Sequence, residues 1–146
     1  VGSSFGGLIA LHYAHCFRGV TRMLLLAPAV VWLSGGLSEH ERQQWKQAGM
    51  APLFHPAFHR EVPVRYDLHL DGLRYLETVP PAAPTIIIHG RQDETVPIVH
   101  SRAYAEAHPD DVDLIEVDAD HDLNPHLDLI WDTVRSFLLE VDGDSP

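Results

Sequence analysis

The sequence predicts an α/β chain: a partial doubly wound, mostly parallel sheet with an inserted helical lid. Three observations point there. Residues 23–27 (Met-Leu-Leu-Leu-Ala) and 85–89 (Thr-Ile-Ile-Ile-His) are short continuous apolar runs, the composition of strands buried on both faces of a parallel sheet. The stretch before the first run has helical composition and follows a turn, so that turn, helix and strand complete one βαβ unit. From Val30 to Val79 the alternation stops, for longer than an ordinary connection between two buried strands.

Taken in order, Val1 ends a strand and Gly2-Ser3-Ser4-Phe5-Gly6-Gly7 turns the chain into a helix over 8–17. That helix is apolar almost all round, which suits an element covered on most sides, and Gly19 ends it. Cys16 on it reads as a small buried side chain. Ser38 followed by Glu41 makes a capping box, so a solvated helix is expected over 39–48 with Gly49 beyond its end. A second helix or turn is expected near 70–77. Residues 79–84 form a stiff, proline-rich return to the core, and the strand over 85–89 is closed by Gly90. A helix over 95–108 follows, with Pro97 in its first turn and Pro109 past its end. Residues 112–117 alternate as a strand near a sheet edge does. After the loop 118–122, Asn124 and Pro125 open a helix whose apolar face is Leu127, Ile130, Trp131, Val134, Phe137 and Leu138. The expected layout is a core of residues 1–29 and 80–140, an insertion of residues 30–79, and an acidic, disordered tail over 141–146.

Composition narrows the function. A chain of 146 residues suits one domain with a real core. Ten basic against 21 acidic residues give a net charge of −11, which disfavours nucleic acid as a partner. No apolar stretch is long enough for a membrane span, and a positively charged, cleavable leader is not expected. One cysteine allows no internal disulfide, which fits a reducing, cytoplasmic setting. Because the chain opens where a strand should already be ending, it is expected to be the C-terminal part of a longer protein.

Chemistry enters with Gly2, Ser4 and Gly6, which satisfy G-x-S-x-G between a strand and a helix. The small flanking residues let the two arms of a sharp turn pass, and Ser4 projects from the turn beside the positive helix end. The Phe5 N–H is then placed to meet an oxyanion. The same residues would also serve as a plain glycine-rich turn. Asp93 and His121 follow predicted strands, so in a parallel sheet they share the C-terminal edge with Ser4. A serine there needs a neutral imidazole to take its proton, and the imidazole needs a carboxylate on its other nitrogen. Asp120 and Asp122 flank His121 and compete with Asp93 for that role. Trp32, Leu33, Phe54 and Phe58, with Trp45, could line an apolar acyl pocket or fill the insertion's own small core. His12 with His15, and His55 with His59, have ligand-like spacing, but the first pair has no Cys or carboxylate nearby to complete a metal site, and Pro56 argues against a regular helix starting at His55.

The chain resembles the C-terminal portion of the α/β-hydrolase-fold superfamily, of the serine esterase and thioesterase kind. The carrying residues are the elbow Gly2–Gly7, the acid-loop segment His89-Gly90-Arg91-Gln92-Asp93-Glu94-Thr95-Val96-Pro97, and His121 before the last helix, in the family order serine, acid, histidine. The resemblance implies a sheet of the α/β-hydrolase type with a lid between strands, no cofactor, and a small-molecule acyl substrate. It also implies a second oxyanion donor from a loop that this sequence does not contain. Related chemistries on the fold are C–C bond hydrolysis, peptide hydrolysis and cofactor-free haloperoxidation. Two other readings are a non-catalytic binding domain and a metal-dependent protein using histidines and the 118–122 loop.

Overall fold

The computed structural model describes residues 1–31, 37–55, 58, 60–75 and 78–139, the side chains of 53–55 excepted. The expected acidic tail, Trp32 and Leu33 lie outside the described residues, as does the side chain of Phe54. The chain divides into two compact units, Val1–Val31 with Thr78–Pro146, and Trp32–Glu77.

The first unit is built on four parallel strands: β1 (Gly2–Ser3), β2 (Met23–Leu26), β5 (Thr85–Gly90) and β6 (Val112–Val117), in the order β1-β2-β5-β6. Their helices are α1 (Phe5–Cys16), α4 (Val99–Ala107) and α5 (Leu127–Thr133). Period-two alternation sends β2 side chains to opposite faces. Met23 and Leu25 join Leu11 and Ala14 of α1, Tyr104 of α4, Ile87 and Val79 in one core. Leu24 joins Ile88, Val117, Ala119 and Leu123 in the other, against Leu129 and Ile130 of α5. The two buried runs are thus covered on both faces, and each fully buried Leu or Ile stabilises the sheet by roughly 1.5–3 kcal/mol.

Several boundaries differ from expectation for physical reasons. Helix α1 starts at Phe5 and buries one face only: Leu8, Leu11 and Ala14 are inside, whereas Ile9, Tyr13 and Phe17 are 53–57% exposed. Cys16 is likewise exposed rather than buried. Helix α4 begins at Val99, because the chain from Asp93 to Val96 first wraps its N–H groups around the Asp93 carboxylate. The last helix is not one regular α-helix. It opens with a 3₁₀ turn (Asn124–His126) and widens to π geometry over Val134–Leu139. At the change, the hydroxyls of Thr133 and Ser136 donate to the carbonyls of Leu129 and Asp132, adding side-chain donors to the helical ladder.

The second unit holds α2 (Glu39–Ala48), β3 (Met50–His55), β4 (Arg60–Arg65) and α3 (Asp67–Gly72). The capping box forms as the sequence requires, with Ser38 Oγ accepting from Glu41 N and the Glu41 carboxylate from Ser38 N. The expectation of a helical insertion is corrected by the antiparallel β3–β4 hairpin, which stands beside its helices. Its prolines argue against strands in the sequence, but Pro52 stands opposite Pro63, so the two missing donors fall on a single rung of the ladder. Trp45 is partly buried and finds its partners within this unit. Its indole N–H donates to the Val64 carbonyl at 2.9 Å, and its ring meets Tyr66 edge-on.

Candidate active site

Ser4 is where β1 becomes α1. Its backbone lies at φ 53°, ψ −124°, a left-handed conformation that a residue with a Cβ seldom takes. Three backbone hydrogen bonds hold it there: Ser4 N–H donates to Leu26 O, and Ser4 O accepts from Gly7 N and Ala29 N, all within 2.9–3.0 Å. The Ser4 hydroxyl does not cap the helix, so it is left for another partner. The glycines around it divide unequally. A Cβ on Gly2 would lie 2.5 Å from the Gly6 carbonyl oxygen, and one on Gly7 2.5 Å from Pro28 Cβ, whereas one on Gly6 would meet nothing. The close approach on the helix side therefore falls at Gly7, one residue beyond the motif's last glycine.

Asp93 follows β5 and His121 follows β6. Two loops are zipped together there, with Arg91 N–H donating to Val117 O and Gln92 N–H to Ala119 O. Gly90 is needed at the crossing, since a Cβ would stand 2.3 Å from both the Ala119 and Asp120 carbonyl oxygens. This contact sets Asp93 beside His121, whose Nδ1 is 2.7 Å from Asp93 Oδ2. Strands β6 and β1 are three spacings apart, about 14 Å, yet the loop after β6 reaches back far enough to put His121 Nε2 3.0 Å from Ser4 Oγ. The three side chains form one continuous hydrogen-bonded line. The Asp93 side chain is fully buried and that of His121 is 22% exposed.

Asp120 and Asp122 are otherwise engaged. Asp120 Oδ1 accepts from Asp122 N, and the Asp122 carboxylate accepts from Asn124 N and Nδ2. Phe5 is the first residue of α1, immediately after Ser4, and its side chain is half exposed. Phe58 belongs to the second unit, where it is exposed under the Arg60 guanidinium. Among the described residues no cluster of His, Cys, Asp or Glu could hold a metal ion.

Sequence reasoning gave His89 no role of its own, placing it only at the end of the strand over 85–89 and at the start of the acid-loop segment. Its ring is wholly buried, with Nδ1 2.8 Å from Ser101 Oγ and Nε2 3.1 Å from Asp93 Oδ2 and 2.9 Å from Val96 O. The available signal was a polar residue ending an otherwise apolar buried run, which must find partners. Nearby, Glu116 on β6 binds Arg102 of α4 through two hydrogen bonds and Arg91 through a third. The Arg102 bond, helped by Arg91, holds the Glu116 carboxyl down to about 2.

A parallel sheet with helices on both faces, carrying a serine elbow, an acid loop and a histidine loop at one edge, defines the α/β-hydrolase fold. Solved structures similar to the chain are of that class. A putative hydrolase from Agrobacterium vitis S4 is 27% identical with a TM-score of 0.78, over 92% of this chain and 59% of that one. Mouse alpha/beta hydrolase domain-containing protein 10 is 21% identical with a TM-score of 0.75, over 95% and 60%. Est1E from Butyrivibrio proteoclasticus with ferulic acid bound is 22% identical with a TM-score of 0.75, over 96% and 57%. The chain therefore spans 57–60% of the length of these structures. It belongs to the Uncharacterised protein family (UPF0227), which it matches over residues 1–137. No curated protein matches it. Among the described residues, no helix is long and apolar enough to cross a membrane.

Proposed function

We propose that the chain carries the reacting core of a serine hydrolase that cleaves a carboxylic ester or thioester through an acyl-enzyme. The observation that supports this reading most is the unbroken line from Ser4 Oγ through His121 to Asp93, with distances of 3.0 and 2.7 Å. Ser4 Oγ attacks the carbonyl carbon while His121 Nε2 takes the hydroxyl proton, and Asp93 stabilises the imidazolium through Nδ1. The oxyanion is met by the Phe5 N–H at the start of α1. Collapse of the tetrahedral species expels the alcohol or thiol, which takes the proton from His121. Water then repeats the sequence and frees the acid and Ser4.

The second unit acts as a lid in this reading, with Trp32, Leu33, Phe54 and Phe58 as its candidate acyl contacts. A small or medium uncharged acyl group suits an apolar lining on a chain of net charge −11. A fluorophosphonate probe tests the reading: it should label the full-length protein, and Ser4→Ala should abolish labelling and lower esterase turnover by about a millionfold. A chelator should leave both unchanged. Labelling that survives Ser4→Ala, or turnover lost to the chelator, would overturn the assignment.

A further inference from the structure

The carboxylate of Asp93 is shared by four donors. Thr95 N–H and Val96 N–H reach Oδ1 at 2.9 and 2.7 Å, while His121 and His89 both reach Oδ2. An ionised carboxylate has about four lone-pair directions, so this one is filled, and its rotation is set by the donors around it. Three of the four are explained by loop closure and by the line to Ser4. His89 is not.

Its hydrogen-bonding state follows from its partners. The Val96 carbonyl can only accept, so Nε2 must carry the proton that faces both Val96 O and Asp93 Oδ2. The Ser101 hydroxyl can then donate to Nδ1. The opposite tautomer would point a ring lone pair at two acceptors. Both His89 and Ser101 are 0% exposed. Burying an imidazole at the end of an Ile-rich strand is costly where a Leu or Phe would pack as well, unless both nitrogens are used. Here both are used, and one is spent on the carboxylate oxygen that holds His121.

We propose that His89, with its tautomer set by Ser101, is a positioning residue that fixes the rotation of the Asp93 carboxylate and so the direction in which His121 faces Ser4. The proposal rests on the serine-hydrolase reading above. It ties three elements to the reacting line: β5 through His89, the acid loop through Asp93 and Val96, and α4 through Ser101.

The test is the rate at which the fluorophosphonate labels the full-length protein, resolved into a reversible binding constant and a maximal inactivation rate. His89→Phe keeps the bulk and removes the donors; it should lower the maximal rate ~10- to 100-fold with reversible binding unchanged. His89→Gln, whose amide N–H reaches toward the Nε2 position, should recover most of that loss. In an Asp93→Asn background His89→Phe should cost nothing further, because it acts through Asp93. A wild-type rate in folded His89→Phe, a His89→Gln as slow as His89→Phe, or an equal further loss on top of Asp93→Asn overturns the proposal. If His89→Phe does not fold, Ser101→Ala decides, with the same selective drop in maximal rate expected and a wild-type rate fatal. Labelling retained in Ser4→Ala would instead remove the underlying serine-hydrolase reading, whatever His89 does.

Discussion

Ser4, the proposed nucleophile, has a backbone conformation that opposes its own side chain. A non-glycine residue at φ 53°, ψ −124° carries strain of about 1–3 kcal/mol, which the three backbone hydrogen bonds to Leu26, Gly7 and Ala29 hold in place. Ser4→Gly and Ser4→Ala both lose the hydroxyl and differ only in the Cβ. Denaturant unfolding should find Ser4→Gly the more stable by about 1 kcal/mol, and equal midpoints would mean the turn is unstrained. The sequence showed which residue occupies the turn, since strand composition, glycines and helix formers are all local. It placed the crowding at Gly2 correctly but put the helix-side contact at Gly6 instead of Gly7, because the neighbour that forbids a side chain at Gly7 is Pro28, on a different strand's exit.

At the scale of elements, the legible parts were those whose cause lies within a few residues. The Ser38–Glu41 box starts α2 where expected, and the two Leu- and Ile-rich runs became β2 and β5. The hairpin of β3 and β4 was not legible, because its pairing places Pro52 against Pro63 and only the ladder reveals that. Glu116 illustrates an element-level tie with a testable pH dependence. It joins β6 to α4 through Arg102 and to the acid loop through Arg91. Its carboxyl moves from an ordinary value of 4.5 to about 2 on folding, so the folded state binds this proton more weakly. The pairing therefore contributes fully above pH 4.5 and is lost as pH falls through about 2. With the side chain 25% exposed, solvent screening keeps the contribution to about 1 kcal/mol or less. Thermal unfolding should show Glu116→Gln less stable than the parent near neutrality, with the gap closing between pH 4.5 and about 2. A gap that widens on acidification would contradict the assignment.

At the scale of the whole chain, the net charge of −11 sets a field that an approaching anion must cross. For a neutral and a carboxylate-bearing ester of the same size, the proposed esterase activity should show a ratio of kcat/KM values that favours the neutral one. The ratio should narrow as ionic strength rises and the screening length falls from about 30 Å at 0.01 M to about 3 Å at 1 M. A ratio indifferent to salt would place the selectivity in local contacts. Charge, the buried runs, the turn at Ser4 and the cap at Ser38 were determined by the sequence alone, since each depends on composition or on neighbours along the chain. The tertiary structure alone decided that Asp93, not Asp120 or Asp122, holds His121, and that His89 and Ser101 stand behind it. Those choices follow from Gly90 meeting the Ala119 and Asp120 carbonyls and from a loop reaching back from β6 to β1. They are contacts between segments far apart in the chain, which no window of sequence contains.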